Sequence, residues 1–191
     1  SLSPGLLQCY MRRNDGGNWQ KGTPLSYSAQ LLITDVVDLQ IKQGPFTGTL
    51  DLSKAEHLWF VDAGFTYLTG IVPPSPDPAV MGVTRANHPL YRFYASHNEI
   101  VGSLNLKDFG VLEGSTIQEN NLEGLDVRSL GTFKFINASA NKLSGEVDLS
   151  ASTNLETCDI SYNQSQSTPP TFKVYNPISL ELKAGDFTGS L

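Results

Sequence analysis

The sequence is poor in charge and nearly free of sulfur, and both shortages exclude something. Only 17% of its 191 residues are charged, and the formal net charge is −6. A nucleic-acid partner would need a basic stripe, which the single tight pair Arg12-Arg13 does not supply. Two cysteines, Cys9 and Cys158, are too few for a disulfide framework. No run of 18 apolar residues occurs, so no helical membrane insertion is expected. The first residues, SLSPGLLQCYMRR, lack the cationic start and long apolar stretch of a signal peptide, and the chain reads as a mature or processed product. Catalytic signatures are missing too. There is no G-x-S-x-G, no H-E-x-x-H and no P-loop, and His57, His88 and His97 stand outside any nucleophile, metal or phosphate motif. Neither an enzymatic activity nor a cofactor is expected.

What the sequence does have is a repeat. Sliding the chain against itself aligns Leu90, Phe93, Ala95, Asn98, Ile100, Gly102 and Leu104 with Phe133, Ile136, Ala138, Asn141, Leu143, Gly145 and Val147. Further copies start at Val36, Leu58 and Leu112; a weaker one contains Leu155, Cys158, Ile160 and Asn163, and a last one Leu180, Leu182 and Phe187. The marker glycines at 48, 70, 102, 124, 145 and 189, with Ser167 between the last two, step by 22, 32, 22, 21, 22 and 22 residues. The one long step contains VPPSPDPAVMGVTRANHP, rich in proline and suited to a surface loop.

The frame L-x-x-L-x-L-x-x-N-x-L resembles the leucine-rich-repeat family, most closely the repeats of secreted bacterial surface proteins. The resemblance covers residues 36–191, with Gly44, Thr66 and Gly185 standing where the family has Asn. It implies an α/β-type repeat solenoid, mainly short parallel β-strands with an irregular convex side, of about seven to eight coils, at an extracellular or cell-surface location. The chain then forms one solenoid, 1–191. Residues 1–35 make a split N-terminal coil with a loop insertion, and 36–191 carry the repeats, with a second insertion at about 72–89.

Frame position fixes side-chain direction. Positions four and six point into the core, while three and five point out. The ninth-position Asn turns the chain, and its amide bonds to backbone groups that would otherwise be buried unpaired. Cys9 and Cys158 both fall at position four, several coils apart. Strands are ~4.8 Å apart and a disulfide needs Cα atoms within about 7 Å, so two free buried thiols are expected. Two glycosylation sequons occur. Asn163 occupies the buried ladder slot; Asn137 points outward and is the candidate acceptor, although chance occurrence is the favoured reading.

The outward columns hold an aromatic group with an arginine. Phe60, Phe65, Arg92, Tyr94, His97 and Phe135 form the candidate binding face, a composition found at interaction hot spots and suited to a protein or carbohydrate ligand. A second expectation concerns the chain ends. AGDFTGSL followed by SLSPGLLQ continues the frame of GPFTGTLDLSK, so that Leu2, Leu6, Cys9 and Met11 complete a coil begun by Leu180, Leu182, Phe187 and Leu191. Uncapped solenoid ends expose strand edges and apolar coil faces. Copies are therefore expected to stack head to tail into a filament. The alternative is a monomeric recognition module, a fragment of a longer leucine-rich-repeat ectodomain or phage adhesin.

Overall fold

The computed structural model describes residues 10–13, 20–21, 36–43, 46–55, 57–74, 90–109, 111–128, 130–163, 170–174, 179–181 and 188–190. They form a parallel β-solenoid of repeated ~22-residue turns. The solenoid comprises about five turns, and further strands extend the stack at either end.

Each turn contributes one strand to a long sheet: β3 (Val36–Gln40), β5 (Phe60–Asp62), β7 (Arg92–Tyr94), β9 (Gly114–Thr116), β11 (Phe135–Asn137), β13 (Thr157–Asp159) and β15 (Ser179–Glu181). These seven pair in parallel, each with the next. The strands are short because only positions three to five of each frame are free to extend. In β5, β7 and β11 a buried central residue lies between two half-buried neighbours.

The second half of each turn adds another strand: β4 (Thr47–Asp51), β6 (Tyr67–Val72), β8 (Val101–Asn105), β10 (Asn121–Asp126), β12 (Glu146–Leu149), β14 (Thr171–Val174) and β16 (Thr188–Ser190). They pair as β4–β6, β8–β10 and β12–β14–β16. The marker glycines serve two purposes here. Gly102 has φ +73°, which an L side chain resists. Gly124 has an ordinary φ, but a Cβ there would stand 2.5 Å from the Ser103 hydroxyl of the preceding turn.

The α component of the expected α/β class is almost missing. Among the described residues the one helical element is a 3-10 turn over Leu106–Phe109, and none is long and apolar enough to cross a membrane. The side expected to be irregular is instead largely stranded, because the Gly-x-apolar pattern after each Asn alternates with a period of two.

The core is a stack of like residues. Leu58, Leu90, Leu112 and Phe133 fill position one and are fully buried, each contributing about 2–3 kcal/mol relative to exposure. Asn98, Asn120, Asn141 and Asn163 run through the stack as a buried ladder. The Asn120 amide nitrogen donates to Ala95 O of the preceding turn (2.9 Å) and to Ile117 O (3.0 Å), while its oxygen accepts from Ile100 N (3.1 Å). Thr66 supplies a hydroxyl in the same slot and bonds to the Asn98 side-chain oxygen.

The N-terminal segment departs from the frame. Strand β1 (Tyr10–Arg13) runs antiparallel to β3, with Met11 opposite Leu39, and β2 (Gln20–Lys21) pairs antiparallel with β1. A split coil carrying Met11 in frame would run parallel to β3, so β1 is a hairpin strand laid on the edge of the stack. Of the other residues expected at the joint, Leu180 lies on β15, whereas Leu2, Leu6, Cys9, Leu182, Phe187 and Leu191 fall outside the described residues.

Candidate functional site

The outward columns are in register. Asp38, Phe60, Arg92, Gly114, Phe135 and Thr157 are successive Cα partners across the long sheet. Gln40, Asp62, Tyr94, Thr116, Asn137 and Asp159 form the next column. Four residues of the candidate face meet in the middle. The rings of Phe60 and Tyr94 pack edge to face at 5.5 Å, and Tyr94 and Phe135 at 6.3 Å. The Arg92 guanidinium lies 5.4 Å from the Phe135 ring centre and donates to the Tyr94 hydroxyl at 3.3 Å. Such contacts fix large, half-exposed side chains in place, so little rotamer freedom remains to be lost on binding.

Phe65 and His97 belong to a separate column, one residue before the ladder slot. Their rings stack at 4.1 Å, and His97 Nδ1 lies 2.8 Å from Glu119 Oε2. The backbone there is left-handed without glycine, at φ 57° for Phe65, 55° for His97 and 57° for Tyr162. At Phe65 and His97 the conformation persists because the amide is held from the next turn: Phe65 N donates to Ser96 O (2.9 Å) and His97 N to Gln118 O (3.0 Å). Phe65 and Tyr162 project with more than half of their surface exposed.

Three further residues belong to the face. Position two carries Trp59, Tyr91 and Glu113 in successive turns. Trp59 and Tyr91 stack at 5.2 Å with planes 7° apart, and Trp59 is exposed. Glu113 is a buried carboxylate that pairs with Lys134, Tyr91 and Arg92, the last at 3.3 Å. The Lys134 ammonium, then the Tyr91 hydroxyl, hold its acid form down to a pKa of about 2. The same carboxylate raises the Tyr91 and Lys134 pKa values, while the Tyr94 hydroxyl is the first cause of the rise at Arg92. Glu113 thereby anchors two cations and an aromatic ring to one buried point.

Asn137 sits at the centre of this face. Its side-chain oxygen accepts from the Ser139 amide (3.0 Å) and hydroxyl (2.7 Å). Asn163 donates to three backbone carbonyls from inside the ladder, which leaves no place for a glycan. Cys158 is a free buried thiol, as expected, and desolvation pushes its pKa up to about 12. Cys9 lies outside the described residues. Among the described residues no group of three His, Cys, Asp or Glu side chains is placed to hold a metal ion. No protein-family model matches the chain, and no curated protein matches it in sequence.

Proposed function

We propose that this chain is a non-enzymatic interaction protein of the leucine-rich-repeat type, acting outside the cell or at a cell surface. It binds a protein or carbohydrate ligand on the exposed face of its long sheet. One observation carries this reading: Phe60, Tyr94 and Phe135 converge on Arg92 in a rigid, half-exposed cluster. Anchors of that composition dominate binding energy elsewhere. The family assignment rests on the frame and its asparagine ladder. A count of seven to eight coils is part of this reading and draws on the seven parallel strands from β3 to β15. A screen of oligosaccharides and peptides with amide-shift mapping tests the reading. Ligands should shift β5, β7 and β11, and Trp59→Ala with Phe65→Ala should weaken them. Ligands that shift only the opposite strands would overturn it.

A second reading is head-to-tail stacking of copies into a filament. It draws on β15, an edge strand among the described residues. The antiparallel course of β1 weighs against it, since an added coil would meet the hairpin rather than a free β3 edge. Electron microscopy at high concentration decides; discrete 20.8 kDa particles would sink it.

A further inference from the structure

The charge balance of the face narrows the chemistry of its partner. At the outward frame positions of the turns from β5 to β13 stand five carboxylates, Asp62, Glu113, Glu119, Glu156 and Asp159, against two cations, Arg92 and Lys134, and Lys42 of the turn before reaches in to Asp62. Each cation is already committed. Lys42 Nζ lies 2.8 Å from Asp62 Oδ2, and Arg92 and Lys134 share Glu113. The positive charge left over at that shared carboxylate is offset by Glu156, whose field acts on Lys134.

The carboxylates, by contrast, are in surplus. Glu156 is exposed. Asp159 is partly exposed, and its Oδ1 takes the Ser161 amide (3.0 Å) and hydroxyl (2.6 Å). Glu119 is more than half exposed and lies beside His97, with Oε2 2.8 Å from Nδ1. An anionic ligand on these turns would thus find Lys42, Arg92 and Lys134 engaged and would meet the carboxylates of Glu119, Glu156 and Asp159. A cationic one finds carboxylates together with the exposed rings of Trp59, Phe65 and Tyr162, which attract ammonium and guanidinium groups and cover their aliphatic stems.

We infer that the face takes a basic polypeptide, a Lys- or Arg-containing segment of a protein partner, in preference to an anion or a neutral glycan. The inference rests on the reading of this face as the ligand site and adds the class of partner. Its electrostatic part sets orientation and rate of encounter, and the aromatic cluster holds the docked segment.

The test is titration of the full chain, with amide-shift mapping, against three probes: a short Lys/Arg-rich peptide, the same peptide with Glu at every basic position, and cellohexaose. The basic peptide should shift β7, β11 and β13 and lose affinity about tenfold or more between about 0.1 and 1 M salt, where the screening length falls from about 10 to about 3 Å. Glu156→Gln with Asp159→Asn should weaken it several-fold at low salt. The second change keeps its local turn, since Asn137 makes the same pair of bonds to Ser139. Binding of cellohexaose or the acidic peptide with the basic peptide silent overturns the partner class and leaves the face as the site. Basic-peptide binding that the amide variants leave unchanged overturns the inference as well. If no probe moves the face, both readings fall.

Discussion

The Phe135 ring occupies the space that a side chain on Gly114 would fill: a Cβ at Gly114 would stand 2.1 Å from the ring's Cε1. The gap lets Phe135 lean across a strand toward Arg92 and Tyr94, so the aromatic cluster depends on a residue with no side chain. Gly114→Ala should displace the ring and cost on the order of 1–3 kcal/mol by overpacking. The same change in a Phe135→Ala background should cost much less. A double-mutant cycle by chemical denaturation checks this, and additive losses would refute the relationship.

Asn120→Ala removes an amide that serves Ala95, Ile117 and Ile100 at once. The Ile100 N–H loses its acceptor, while Ala95 O keeps the Asn98 amide and Ile117 O keeps the Asn141 amide, and a loss of roughly 1–3 kcal/mol is expected. Asn120→Asp should be no better, because an ionised carboxylate offers nothing to the carbonyls. The denaturation midpoint measures both.

Glu113 makes stability depend on acid. Its folded pKa of about 2 lies below the ordinary 4.5, so its contribution is complete above pH 4.5 and is lost as the pH falls toward 2. Wild-type Tm should drop more steeply over that window than the Tm of Glu113→Gln, which starts lower because two cations lose their shared carboxylate. Parallel slopes would contradict the assignment.

Cys158 should resist alkylation in the native state, being buried with a thiol pKa of about 12. Peptide-resolved mass spectrometry after brief iodoacetamide treatment should find it unmodified without denaturant and fully modified with it.

Much of this was legible in the chain itself, for a physical reason. A solenoid repeats its environment at a fixed step, so aligning Asn98 with Asn120 and Asn141 also aligns everything between them. The outward columns through Phe60, Arg92 and Phe135 follow from that alignment alone. Trp59, Tyr91 and Glu113 were harder to see, because position two precedes the strand and carries no alternation to mark it as outward. They share one frame position, and the aromatic pair there was the available signal. The direction of β1 was not legible. Met11 reads the same in a parallel or an antiparallel strand, since apolar alternation carries no polarity. The left-handed residues were hidden as well, because Phe65, His97 and Tyr162 are not the glycine or asparagine that usually marks such a turn.

The asparagine ladder also sets how the molecule fails. Every rung joins a turn to its immediate neighbours, and no bond of the ladder reaches farther along the stack. Cooperativity therefore travels as it does along a chain of coupled links. Damage at Asn120 should leave Asn98 and Asn163 in their own intact neighbourhoods, and amide exchange should then report two melting blocks where the native protein has one.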